Sequence, residues 1–212
     1  MVLGRGIMAK QVSFAFYRPS ALVLARTIAD LPILAVQNIL FTILIYWMAG
    51  LAADAGKFFI NLLIVYVTSV CMTAFYRAIG AFSKDLNVSI RIAFLFLNIL
   101  ALFAGYMQPF HTMKSWVYKW IYWADPIHYG LEALMVNQLD GLDLTCEPSH
   151  LVPNIPGASI MNQVCTLTGA RPQSAIVAGA DYLEGFGYNR SHLWRNFGLL
   201  IAFTMGYIVI AD

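Results

Sequence analysis

The stretch Ile33-Leu34-Ala35-Val36-Gln37-Asn38-Ile39-Leu40-Phe41-Thr42-Ile43-Leu44-Ile45-Tyr46-Trp47-Met48-Ala49-Gly50 decides the fold class. It is almost purely apolar, and Gly50 with Asp54 ends it. It is the second half of a run over residues 21–53, long enough to cross the ~30 Å hydrocarbon core of a bilayer as a helix. Pro32 sits early in that run, where it removes one backbone hydrogen bond and bends a helix. Membranes tolerate such a proline when neighbours re-satisfy the freed carbonyl. Arg26 and Asp30 precede the apolar part, so residues 21–31 read as the interfacial lead-in to a long, bent helix.

Three more apolar runs follow outward from this one. Residues 58–82 centre on Val70-Cys71-Met72, residues 90–107 on Ala93-Phe94-Leu95-Phe96-Leu97, and residues 193–212 on Phe197-Gly198-Leu199-Leu200-Ile201. Arg77 lies near the end of the second, within snorkelling reach of the interface. Only 11% of the 212 residues are charged, against roughly a quarter in a soluble domain. That is too few to coat a water-exposed globule, so lipid is the natural solvent. A net charge of +2 without a basic run or acidic tail gives nucleic acid nothing to hold. No apolar core with a small-residue cleavage site follows Met1-Val2-Leu3-Gly4-Arg5, so insertion is expected to rest on the spans themselves. The reading is an all-α membrane protein with four transmembrane helices.

Basic residues divide almost evenly between the two sides, so orientation rests on short loops, because long loops translocate regardless of charge. Lys57 is the only basic residue in the short turn after the first span. An N-terminus on the cytosolic side follows.

Residues 108–192 are different in kind. Gln108-Pro109 breaks the third helix, and Trp116-Val117-Tyr118-Lys119-Trp120-Ile121-Tyr122-Trp123 is dense in rings that favour the headgroup level. Residues 108–140 therefore read as a re-entrant or interfacial helical segment, with a partly buried core helix as the alternative. Lys114, Lys119 and Asp125 interrupt any spanning run. Residues 141–192 turn polar and rich in Pro and Gly, as an extracellular loop. Cys146 and Cys165 lie in it, either disulfide-bonded on the oxidising side or free as two thiols. Cys71, inside a span, reads as apolar filler. The sequons at Asn87 and Asn189 read as chance matches, one on the cytosolic side and one close to the fourth span.

Several chemistries are missing from the sequence. No Gly-x-x-x-x-Gly-Lys-Ser/Thr phosphate loop is present. His111, His128, His150 and His192 are scattered, without a metal-ligand spacing, and no His-Glu-x-x-His or Gly-x-Ser-x-Gly occurs. Asp140 and Asp143 read as solvated turn residues beside Gly141. The spans hold isolated amides, Gln37, Asn38 and Asn98, each expected to face another helix or a wet cavity rather than lipid. No catalytic residue, metal ligand or resident cofactor is assigned.

Taken in order, certain motifs carry a resemblance. They are Phe16-Tyr17-Arg18-Pro19-Ser20-Ala21, Asp30-Leu31-Pro32, Tyr46-Trp47-Met48-Ala49-Gly50-Leu51 and Ala55-Gly56-Lys57-Phe58-Phe59. Gly105-Tyr106-Met107 follows, with Pro109, Met113 and Trp116, then Asp125-Pro126-Ile127-His128-Tyr129-Gly130-Leu131-Glu132-Ala133-Leu134 and His192-Leu193-Trp194-Arg195-Asn196-Phe197-Gly198. The set resembles the fungal pleiotropic drug resistance transporters, a G-type branch of the ATP-binding cassette family. The match is to the membrane domain of the N-terminal half and covers essentially the whole chain. Gln138 stands where that pattern often has Glu, and Asp125 where Asn is commoner.

The resemblance implies that the four spans are the third to sixth helices of a six-helix membrane domain in the plasma membrane. Residues 1–20 become a cytosolic coupling segment, residues 108–140 the re-entrant part, and the cysteine-bearing loop the large external loop, often disulfide-bonded in this family. It implies ATP-driven export of hydrophobic drugs or lipids. ATP and Mg would bind nucleotide-binding domains that are missing here, as is the second membrane half, so the chain is expected to be a piece of a longer transporter or a truncated product. Leu97, Asn98 and Ala101 would line the central cavity, and Gly105, Tyr106 and Met107 would fall at a hydrophobic constriction above it. The competing readings are a structural or assembly membrane protein, or a remnant, with a transporter-like bundle, and an intramembrane enzyme acting on lipid.

Overall fold

The structure, a computed structural model, describes residues 19–83, 85–153 and 160–211, together with Lys10 and Phe14. Most of the coupling segment expected over residues 1–20 lies outside the described residues. Along the chain, α1 (Pro19–Met48) is one continuous helix with Pro32 inside it. The turn at Gly50 leads to α2 (Ala55–Phe82), whose first turn is capped by Asp54 Oδ1 accepting from the Gly56 N–H at 2.7 Å. The third helix, α3 (Leu86–Phe103), is followed by α4 (Trp116–Ala124) and α5 (Pro126–Leu139). In the loop beyond, β1 (Asp143–Thr145), β2 (Leu151–Val152), β3 (Val164–Cys165) and β4 (Ile176–Ala178) precede the short α6 (Gly179–Phe186) and the last helix, α7 (Leu193–Ala211). Among the described residues, four helical stretches are long and apolar enough to cross a membrane: α1, α2, α3 and α7 with its preceding turn.

The four spans alternate in direction. At one end Val23 of α1, Ala78 of α2 and Ala211 of α7 form a small core. At the other end, where α1 turns into α2, Lys57 Nζ donates to the carbonyls of Asp140 (2.9 Å) and Gln138 (3.3 Å), and Asn137 Nδ2 returns a bond to the Lys57 carbonyl at 2.8 Å. The whole loop region thus sits at this second end.

Polar groups join α1 to α2. Asn38, buried, accepts from Ser69 Oγ at 2.8 Å and donates to its own helix at the Leu34 carbonyl, so this amide faces a neighbouring helix as expected. Gln37 is exposed in this chain. Arg77 does not simply reach for the interface. Its guanidinium pairs with Asp30 and donates to Thr27 Oγ1 at 3.0 Å, since a charge among helices is stabilised far more by a partner than by its stem alone.

Helix α5 wedges between α2 and α7. Tyr129 packs with Cys71 and Leu200, both wholly buried, and Gly130 lies so close to Thr68, midway along α2, that a Cβ there would meet Thr68 Oγ1 at 2.6 Å. Helix α4 turns Tyr122 inward and leaves Trp116, Trp120 and Trp123 exposed along one face. The described residues of the loop are folded. Strands β1 and β4 pair antiparallel with Leu144 opposite Val177, and β2 and β3 with Leu151 opposite Cys165. Leu151, Cys165 and Val177 form its core, and Cys146 is disulfide-bonded to Cys165 with Cα atoms 6.1 Å apart.

Candidate functional site

Leu97, Asn98 and Ala101 lie, with Phe94, on one face of α3, as their spacing of three and four residues requires. All four side chains are exposed in this chain. Asn98 Nδ2 donates only to the Phe94 carbonyl one turn back, at 2.7 Å. The opposite side of the helix holds it in place: Leu100 is buried, the Phe96 ring meets Phe75 of α2 edge-on, and the Phe103 ring stacks on Tyr118 of α4. The described residues therefore supply one wall of any cavity at this face. A groove of about 750 Å³ lies elsewhere, at the α1–α2 turn between Tyr46, Trp47, Phe58 and Phe59.

Helix α3 ends earlier than its apolar run suggests, because Gly105 adopts φ +102°, a conformation closed to helices and costly for any residue with a Cβ. Gly105, Tyr106 and Met107 thus form a bend after the helix. Gly105 is buried, and a Cβ on it would come within 2.9 Å of both Tyr122 and the Tyr188 hydroxyl. Tyr106 stacks on Phe186 of α6, and Met107 is exposed. The Ala104 carbonyl, the last before the bend, accepts from His128 Nδ1 at 3.1 Å and from the Tyr188 hydroxyl at 3.4 Å. Burial holds His128 below the usual histidine range, so it is neutral, with its ring proton on Nδ1. Burial likewise pushes the Tyr122 and Tyr188 phenols up, keeping both as O–H groups.

One turn further along α5 stands Glu132, nearly wholly buried. Its Oε1 accepts from His192 Nδ1 at 2.8 Å and from the Asn189 N–H at 3.4 Å. Its Oε2 accepts from Asn196 Nδ2 at 2.6 Å, with the Arg195 guanidinium 3.8 Å and His128 Nε2 3.9 Å away. Two of the histidines that look scattered in the sequence therefore converge on one carboxylate. The sequence signal was present, since Glu132, His192 and Asn196 all belong to the motifs of the resemblance. What one-dimensional spacing cannot show is that α5 and the start of α7 lie side by side. His111 and His150 stay outside this cluster, and among the described residues no group of side chains has the makings of a metal site.

Two family models match the chain. One, described as ABC-2 type transporter, covers residues 1–139, and the other, described as CDR ABC transporter, covers residues 152–211. The chain is 42% identical over 99% of its length to the ABC multidrug transporter atrF of Aspergillus flavus. It is 39% identical over 99% to ABC multidrug transporter I of Aspergillus fumigatus, and 33% identical over 97% to ABC multidrug transporter atrA of Aspergillus oryzae. It spans 14% of the length of each of these relatives. The chain belongs to the ABC-2 type transporter family, and its residues are a stretch of membrane domain from the fungal multidrug branch of that family.

Proposed function

We propose that this chain is the part of an exporter's membrane domain that lines a translocation path for hydrophobic drugs or lipids. In this reading ATP, with Mg, is hydrolysed by nucleotide-binding domains outside residues 1–212, and the second membrane half faces α3. The plasma membrane is the expected location, with the disulfide-bonded loop outside.

The observation that carries the reading is the face of α3. It places an amide, Asn98, among apolar side chains with only its own helix as partner, on a surface that the rest of the described bundle leaves uncovered. A polar group at membrane depth is expected to find a partner or a wet cavity. A mostly apolar wall with one amide also suits varied hydrophobic cargo, because apolar contact is non-directional.

The test is ATP-dependent uptake of a fluorescent hydrophobic substrate into inside-out vesicles carrying the complete transporter. Ala101→Trp is expected to lower uptake or shift the substrate profile, while Val209→Trp on the exposed side of α7 leaves both unchanged. Unaltered uptake by the Ala101 variant at normal abundance contradicts the reading.

A further inference from the structure

We infer that Glu132 is a positioning residue that clamps the end of α3 to the loop and α7, so that the bend at Gly105 opens only when the carboxylate's contacts give way. This rests on the export reading for its purpose, though the clamp itself is testable without transport.

The geometry runs through one rigid element. Helix α5 presents two grips one turn apart. His128 holds the Ala104 carbonyl immediately before the bend, and Glu132 holds His192, Asn196 and the Asn189 N–H across the junction of loop and last span. Both side chains are almost wholly buried. Tyr188, one residue before Asn189, reaches back to the same Ala104 carbonyl, closing the circuit from the loop side. Gly105 leaves no slack beneath it, with Tyr122 and Tyr188 already at contact distance from where a Cβ would sit. The C-terminal end of α5 is in turn tied to the α1–α2 turn by Lys57, which donates to the Gln138 and Asp140 carbonyls. A buried carboxylate with this many donors does not swing freely, because breaking one charge-assisted bond leaves another group unpaired. The three parts that meet here therefore move together or not at all.

Glu132→Gln places an amide N–H₂ against donors, whereas adding Asn196→Asp restores one donor and one acceptor across the same gap. The experiment uses the complete transporter in membranes, with Ala104→Cys, at a position buried while the bend is closed, as reporter and a membrane-impermeant thiol reagent added from outside. Gel mobility with and without reductant confirms the Cys146–Cys165 bond in each variant. Glu132→Gln is expected to speed labelling of the reporter thiol about tenfold, the factor that one charge-assisted hydrogen bond commands. The double variant is expected to return the rate close to that of the parent. Labelling unchanged in Glu132→Gln overturns the inference, and so does fast labelling that persists in a double variant with its disulfide formed. Uptake measured on inside-out vesicles prepared from the same membranes reads the export hypothesis separately: a parent that labels as expected but moves no substrate keeps the clamp and refutes export.

Discussion

Asp125 caps α5 with one oxygen, accepting from the Ile127 N–H at 2.8 Å, while Oδ2 is buried without a partner. Burial raises its carboxyl pKa from 3.8 to about 7, against the smaller opposing effect of the backbone bonds from Ile127 and His128. Because the folded value lies above the unfolded one, the neutral acid favours the fold. That contribution is complete below 3.8 and is lost as pH rises through 7. The thermal midpoint of nanodisc-embedded protein should fall between about pH 5 and about pH 8. Asp125→Asn, which keeps the cap, should remove most of that slope and be the more stable form at the upper end. Gly105→Ala adds positive-φ strain and two contacts at 2.9 Å, so it should destabilise by roughly 2 kcal/mol or more, read as a lowered midpoint or reduced surface delivery.

The elements divide into those that the sequence makes plain and those that it hides. The spans are legible because hydropathy over a bilayer's thickness leaves few alternatives, and α1, α2 and α7 fall within a few residues of their apolar runs. The end of α3 was not, since an apolar Tyr106-Met107 tail looks helical until the left-handed Gly105 is known. Nor was the Arg77–Asp30 pair, because it depends on how α1 and α2 rotate against each other. The same rotation decides which amide acts as glue. Asn38 bonds to Ser69 across the helix pair, whereas Asn98 bonds only within α3. Asn38→Leu should therefore cost about 1 kcal/mol of bundle stability through the lost interhelical bond, measurable as increased sensitivity to denaturing detergent. Asn98→Leu should cost far less stability and act instead on transport.

Across the whole molecule, the loop has its own small core and one disulfide, while the spans are held by apolar packing and a few polar ties. Cutting the bond between Cys146 and Cys165, 19 residues apart, should therefore loosen the loop without melting the bundle. Cys146→Ser should lower local stability by about 3 kcal/mol, seen as faster proteolysis within residues 146–165 and little change in the thermal midpoint of the spans. If the uncovered face of α3 borders the substrate path, bound substrate shields it. Single cysteines replace Leu97, Asn98, Ala101 or, as control, Val209 in the complete transporter, and their alkylation by a membrane-permeant reagent is timed with and without saturating substrate. The account predicts that substrate slows alkylation at positions 98 and 101 and leaves position 209 alone. Equal rates with and without substrate at all three α3 positions, in a transporter that still exports, would contradict it.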